Sequence, residues 1–534
     1  MQDIGDLDGL EQAIADVRAT EGERAVLGLI AKTWPAVSTT DGARLRALIE
    51  SVDHEEWNDD PWIIAAMGAS YRSLGTKSRS AALPWFRTAQ SLLDADPDAS
   101  VATRANVGVH HSAALRTIGR FDDALAVARA ARELLDADVT MRPALRVRAQ
   151  AKVAMQIGIL EMHLGEYDAA LVDLRLAMGL EDELTRSELV ECFAAIALQR
   201  YAAGDFPSAL EFVARTRAAS GESGLLASRF GAPALIAELL VAVEQNRSAD
   251  AVALHPLVRA ASLHSDWTAH AHYAIGATAE ITGRHIEGLD ELAKAIGTAR
   301  DWQGDPVVRT ISEGMRGVLF MHLGDTREAL AIFGRLQPTE NHADCPGRYI
   351  ASIRFAAGDI EGTLKALEAC DAVGDSHANR TLIDVLILRA AANYELGATV
   401  IADVAFDRAL LYASQNSMRA PFALVPAPVL QRMLGRAADR NQPEAVHGFL
   451  AELQAAPGAT LTGPVDTLSQ RELDIARQLY LDKTINQIAA ELFISANTVK
   501  THVRSIYRKL DATNRTDAVR RVRELGLHLD ITAL

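Results

Sequence analysis

The chain has 534 residues, of which 49% are hydrophobic, 23% are charged and 5% are aromatic. This length exceeds one ordinary core, and the composition is that of a folded chain rather than a disordered one. No basic start precedes an apolar run, and no stretch of about 18 apolar residues occurs, so we expect neither export nor a membrane partner. We therefore expect a cytoplasmic protein, rich in Ala and Leu, that is helical and has more than one domain.

The net charge of −16 is unevenly distributed. Residues 466–534 contain 11 Lys and Arg against 9 Asp and Glu, whereas the remainder contains 43 against 61. Within 497–523 the count is 8 basic residues against 2 acidic ones. Because attraction to phosphate is short-ranged at physiological salt, this local basic strip is compatible with nucleic acid despite the acidic body.

A short phrase recurs along the chain: Gly, then an aromatic or apolar residue two positions on, then a small residue at five and Leu at six. The clear copies begin at Gly119, Gly165 and Gly204, and weaker copies begin at Gly283, Gly324, Gly358 and Gly397. Gly at a helix end can adopt the left-handed conformation that reverses the chain, and the small residue lets two helices approach closely. The phrase therefore predicts helical hairpins, and it resembles the turn inside a tetratricopeptide repeat.

The glycines are spaced by 46, 39, 79, 41, 34 and 39 residues, which departs from the tetratricopeptide unit of about 34. The longest gap predicts a degenerate copy near Asn246–Leu254. Residues 1–110 show the phrase only faintly, at Gly75. We expect an irregular helical array over 1–455, and chance recurrence in an Ala- and Leu-rich chain is the alternative.

The helical pattern breaks at 455–467, where two Gly and two Pro stand among small polar residues. We interpret 456–467 as a linker and 468–534 as a second domain. Four helices are predicted there: a first opened by the Ser469–Glu472 capping box and running to about Leu481, then Thr484–Phe493, then 495–510 capped by Ser495, then Asn514–Leu525 ended by Gly526.

The third of these helices has two different faces. At about 100° per residue, one stripe holds Val499, Val503, Ile506 and Leu510. The opposite side holds Lys500, Thr501, Arg504, Ser505 and Arg508. A short helix, a turn and a longer helix with a basic outer face form the geometry that places the second helix in the major groove of DNA.

Five segments resemble, in order, the signature of the LuxR-type helix-turn-helix: Leu468–Ile475, Gln487–Ser495, Asn497–His502, Ile506–Leu510 and Asn514–Val519. The resemblance implies that Lys500, Thr501 and Arg504 read bases of double-stranded DNA. The side chains that it implies for phosphate or supporting contacts are Asn497, Thr498, Arg508, Lys509 and Arg515. It also implies homodimers on two-fold related half-sites. Asp482 and Asp511 replace glycines that are usual in the family.

The arrangement is similar to the C-terminal part of the large maltose-regulator type of LuxR protein, without its nucleotide-hydrolysing domain. The segment Gly75–Ser78 lacks the glycine spacing of a phosphate-binding loop, so we expect no ATP or other cofactor. The fold class that we predict is all-α: an irregular, tetratricopeptide-like superhelical array of hairpins followed by a four-helix LuxR-type domain.

Other candidate chemistry is weak. The three cysteines, Cys192, Cys345 and Cys370, are far apart and never form CxxC, so we interpret them as buried or incidental thiols. The segment His54–Trp57 lacks the second His of a zinc helix, and His270 and His272 point to different helix faces. We expect no metal site, no catalytic residues and no enzyme.

Two functions remain open from the sequence. The first is a bacterial transcription regulator whose helical array binds a small-molecule or protein effector and alters promoter occupancy. The alternative is an interaction scaffold whose basic C-terminal bundle docks an acidic protein. A hidden enzyme has no positive support.

Overall fold

The computed structural model describes residues 7–37, 42–73, 76–301, 306–338, 342–343, 345–373, 377–455, 470–481, 483–492, 494–510 and 512–524. Throughout these ranges the regular elements are helices, which confirms the all-α prediction. None of the helices within them has the length and apolar character needed to cross a membrane. The predicted linker at 456–467 lies outside the described residues, and the domain boundaries stay a prediction.

The N-terminal helices surround a core of their own. Trp34 and Phe86 are fully buried in it, and Trp57 is almost as buried, at 3% exposure. His54, which begins the zinc-like segment of the sequence, stands in an exposed turn. The helices are α1 (Leu7–Glu21), α2 (Glu23–Val37), α3 (Gly42–Glu50), α4 (Pro61–Ser70), α5 (Thr76–Arg79) and α6 (Ala82–Ala95).

The next helices pack as successive antiparallel pairs, so that each predicted hairpin is present. They are α7 (Val101–Arg116), α8 (Phe121–Ala137), α9 (Pro143–Leu164), α10 (Tyr167–Met178), α11 (Arg186–Ala203), α12 (Phe206–Ser220), α13 (Ala232–Glu244), α14 (Ser248–Ser262), α15 (Thr268–Thr282), α16 (His285–Asp301), α17 (Pro306–His322) and α18 (Thr326–Phe333). The array continues with α19 (Pro346–Ala356), α20 (Ile360–Ala366), α21 (Glu368–Val373), α22 (Asn379–Glu395), α23 (Thr399–Asn416), α24 (Ala427–Ala438) and α25 (Glu444–Ala455).

The hairpin turns follow the recurring glycine phrase. All seven glycines that begin a copy have φ between 73° and 82°, the left-handed region that glycine enters without steric cost. Asn246 has φ 56° between α13 and α14, where the sequence predicted a degenerate copy. Asn tolerates this conformation better than most residues, so it serves as the turn residue there. The hairpin prediction is confirmed, including the hidden copy.

Hairpins that are distant in sequence also touch. Helix α9 packs against α17, and α11 packs against α22. The backbone N–H of Phe206 donates to Asn416 Oδ1 over 2.9 Å, across 210 residues of chain. A Cβ added to Gly204 would lie 2.8 Å from the backbone nitrogen of Arg380. The inner faces of the array therefore form a shared interior.

A buried ionic group lies in this interior. The Arg116 guanidinium, at the end of α7, pairs with Glu191 of α11 at 2.5 Å and with Asp266, just before α15, at 2.8 Å. Arg116 and Asp266 are each 1% exposed. His163 stacks between the rings of Phe121 and Trp267 beside them. One guanidinium thus joins three hairpins.

Candidate nucleic-acid interface

The C-terminal domain contains four described helices around one core: α26 (Gln470–Tyr480), α27 (Ile485–Glu491), α28 (Ala496–Lys509) and α29 (Arg515–Glu524). Helices α26 and α27 each pack against α28, and α29 packs against α26. Each of the core residues is less than 10% exposed. They include Ile475, Leu479, Ile488, Val499, Val503, Ile506, Leu510, Ala518 and Val522. The order of a seven-residue helix followed by a fourteen-residue helix is the predicted helix-turn-helix.

Side-chain caps fix where these helices begin. Thr484 and Gln487 form a reciprocal capping box at the start of α27. Ser495 Oγ accepts the backbone N–H of Thr498 over 3.1 Å, which confirms Ser495 as the cap of α28. Asn514 Oδ1 accepts the backbone N–H of the third residue of α29 over 2.9 Å. The predictions at Ser469, Asp482, Phe493, Asp511, Leu525 and Gly526 fall outside the described residues.

Helix α28 has the two faces that its sequence predicts. Its apolar stripe of Val499, Val503, Ile506 and Leu510 is buried against the other helices. Lys500, Thr501 and Arg504 are exposed on the other side, and Thr498 is exposed at the start of the helix. This face is therefore available to an external partner.

The cations of this face differ from others in the domain. Lys483 pairs with Glu491 at 2.6 Å, and Arg520 pairs with Asp517 at 2.5 Å. Lys500 and Arg504 form no ion pair with any residue in the described parts of the chain. Their charge is consequently not neutralised by those residues, which suits attraction to a polyanion.

The remaining predicted contacts divide into two groups. Arg515 is half-buried and donates to the carbonyl oxygens of Lys483, at 2.9 Å, and Leu479, at 3.4 Å. It ties the start of α29 to the end of α26, so it has a supporting contact within the domain. The side chains of Asn497, Arg508 and Lys509 lie outside what the structure describes, and their roles stay predictions.

A pocket opens into the shared interior of the array, with about 840 Å³ of empty space that is partly open to solvent. Its charged lining residues include Glu244, Glu280, Arg348, Arg380 and Asp384. Arg348 pairs with Asp384, and Arg380 pairs with Glu244 at 3.2 Å. Burial raises the pKa of Glu280 to about 7 and that of Asp384 to about 6. The sequence could not identify this lining because it comes from seven α-helices.

Two of the three cysteines meet, although they are 25 residues apart in the chain. Cys345 and Cys370 have sulfur atoms 3.4 Å apart, and His342 and His377 join them. The four possible ligand atoms all lie within 4.8 Å of one another. The spacings His-x2-Cys and Cys-x6-His were the only sequence signal of this group. All three thiols are buried, as one form of the sequence interpretation holds, and Cys192 lies apart from the other two.

Comparisons with known proteins find matches to both parts of the chain. The family model "Bacterial regulatory proteins, luxR family" matches residues 466–522. A nitrate/nitrite response regulator protein homolog from Haemophilus influenzae is 46% identical over 55 residues, which cover 10% of this chain and 26% of that relative. The chain thus spans about a quarter of the length of this relative.

Two solved structures align with the chain at low similarity. A Rap protein complexed with competence and sporulation factor has 10% identity and a TM-score of 0.48, covering 67% of this chain and 99% of that one. The Cut9–Hcn1 hetero-tetramer of the APC/C has 12% identity and a TM-score of 0.35, covering 96% of each chain. The hairpins and their left-handed turns, which are visible in this structure itself, show the repeat architecture. The chain accordingly carries, at residues 466–522, a helix-turn-helix domain that matches the luxR family of bacterial regulatory proteins.

Proposed function

We propose that this protein is a sequence-specific transcription regulator of the cytoplasm that inserts α28 into the major groove of its target DNA. The observation that carries the proposal is that Lys500 and Arg504 are exposed, and pair with no acid among the described residues, on a helix whose other face is core. Lys and Arg on a groove-bound helix donate to guanine, and Thr501 between them contacts a base or a thymine methyl group. The protein acts by binding rather than by catalysis.

The test measures affinity of the full-length chain for its selected site and for unrelated duplexes, at several salt concentrations. Arg504→Ala should cost about 1–3 kcal/mol on the preferred site, roughly 5- to 150-fold in affinity, if Arg504 reads a base. Arg520→Ala is the matched control, because it removes one positive charge from α29 that Asp517 already neutralises. Its effect should be small.

Each alternative outcome has a defined meaning. An equal loss on every sequence would reduce Arg504 to a phosphate contact. No preference among duplexes even at low salt would contradict the regulator and favour a scaffold that docks an acidic protein.

The protein is proposed to bind as a homodimer on two-fold related half-sites, as the family resemblance implies. Such sites lie about 10–10.5 base pairs apart, or a multiple of that distance, because successive major-groove faces repeat with the helical turn. Inserting half a turn between half-sites should abolish tight binding and leave single-site binding. An unchanged affinity would contradict dimeric recognition.

The proposed place for an effector is the interior pocket. Arg348 and Arg380 are already paired with acids there, whereas Glu280 has no ion pair with a described residue. A small molecule or peptide end with an ammonium or amidinium group would complement Glu280. A thermal-shift screen of cationic metabolites should find compounds that stabilise the wild type but not Glu280→Gln. Equal stabilisation of both proteins by every hit would place the effector elsewhere.

A further inference from the structure

We propose that His342, Cys345, Cys370 and His377 bind one zinc ion, which holds the helical array together beside its interior pocket. The four side chains are between 3% and 6% exposed, and their ligand atoms lie within 4.8 Å of one another. Two thiolates and two imidazoles are a complete tetrahedral ligand set for Zn²⁺. With all four positions filled by protein, the site has no open position for a substrate and is structural.

The histidine nitrogens are the strongest sign that an ion belongs there. His342 Nδ1 and His377 Nε2 are buried and have no hydrogen-bond partner among the described residues. An imidazole nitrogen buried without a partner is costly, and a metal ion relieves that cost by accepting its lone pair. A simple pair of buried thiols would leave the His342 nitrogen unexplained.

Hydrogen bonds from neighbouring groups hold the ligand residues in positions that suit metal binding. His377 Nδ1 lies 3.1 Å from the carbonyl oxygen of Ala378, so a proton on Nδ1 leaves the Nε2 lone pair free. The Thr381 hydroxyl donates to the backbone oxygen of His342 over 2.7 Å, and Arg380 donates to that of Ala343 over 2.9 Å. These bonds fasten the ligand-bearing segment at 342–343 to α22.

The positions of the four ligands indicate the structural role that the ion would have. Cys345 caps α19, Cys370 lies in α21, and His342 and His377 precede α19 and α22. Helix α21 is only six residues long, which is too short to be stable by itself. Cys345 also lines the pocket together with Arg348 and Arg380. Zinc binding, with release of the two thiol protons to solvent, would thus fix one wall of that pocket.

The first measurement is the metal content of the full-length chain, purified under reducing conditions without chelator or a metal-affinity tag. We expect about one zinc ion per chain, retained through gel filtration. Replacement by Co²⁺ should give the visible absorption of a tetrahedral thiolate complex. Chelation should lower the melting temperature of the wild type.

The variants assign the site. Cys345→Ser and Cys370→Ser should lose the zinc and the cobalt spectrum, whereas Cys192→Ser, which removes the remaining buried thiol, should keep both. His377→Ala keeps three ligands and should bind zinc more weakly. A reduced wild-type chain that takes up no added Zn²⁺ overturns the proposal, as does zinc retained by both ligand-cysteine variants. A Cys345–Cys370 disulfide in a chain that binds no zinc after reduction would identify a redox pair instead.

Discussion

The buried guanidinium of Arg116 offers a direct test of how the array is held together. Arg116→Met keeps an unbranched side chain about as long as the aliphatic stem of Arg, but it removes the charge that faces Glu191 and Asp266. Both carboxylates then remain in an interior that is almost closed to water, since Glu191 is 5% and Asp266 is 1% exposed. Breaking a buried ion pair on one side typically costs about 3–5 kcal/mol, and the same range is expected here.

The free energy of unfolding should also depend on pH differently in the wild type and in the variant. In the wild type, Arg116 holds the pKa of Asp266 well below its ordinary value despite burial. A lowered pKa in the folded state stabilises the protein above the unfolded pKa of about 3.9, and that contribution is lost as the pH falls. In the variant, Arg116 no longer offsets the burial of Asp266, so the pKa of that carboxyl rises relative to the wild type, although His163 and Arg229 still lower it. The stability deficit of the variant should therefore shrink as the pH falls.

Urea unfolding followed by circular dichroism at pH 7 and pH 5 measures both effects. The matched control is Arg120→Met, which breaks the exposed pair with Asp123, where the side chains are 41% and 54% accessible. Exposed pairs contribute less than about 1 kcal/mol. If Arg116→Met costs no more than Arg120→Met, or if its deficit is the same at both pH values, the buried network is not what joins these hairpins.

Two further predictions concern the turns and the pocket. Gly204→Ala and Gly397→Ala both force a side chain into left-handed backbone, at about 1–2 kcal/mol. Only the Cβ at Gly204 meets Arg380, 2.8 Å away, while the space at Gly397 is open, so Gly204→Ala should lower the melting temperature more; equal losses would refute the close approach. Glu280 has a folded pKa of about 7, above the unfolded value near 4.3, so its own contribution to the stability of the wild type should fall as the pH rises from 4 to 7. Glu280→Gln removes this loss, and its melting temperature relative to the wild type should therefore rise between pH 5 and pH 8; a constant difference would show that Glu280 does not titrate in this range.

The features that the sequence could predict depend on residues that are close together in the chain. The glycine phrase reported the left-handed turns because a positive φ is a property of one residue and its neighbours, and the same holds for Asn246. The caps at Thr484 and Ser495 and the apolar stripe of α28 also depend on contacts a few residues apart. The glycine phrase therefore located the hairpins, and helix periodicity located the exposed basic face of α28.

What the sequence could not predict depends on contacts between distant segments. Cys345 and Cys370 are 25 residues apart, and only the packing of α19, α21 and α22 brings them together with two histidines. The pocket has the same origin, since Glu280 and Asp384 come from different hairpins. No short-range pattern encodes which inner faces meet across a curved array.

The hydrogen bond between Phe206 and Asn416 determines how the array responds to truncation. In solenoids whose units contact only their neighbours, repeats can be deleted from either end. Each deletion then lowers the free energy of unfolding by one further step. Here, deleting α23 would remove Asn416, whose side-chain oxygen accepts the buried backbone N–H of Phe206, 210 residues earlier in the chain. Shortened versions of this array should therefore lose order far from the cut, and the intact array should melt as one block.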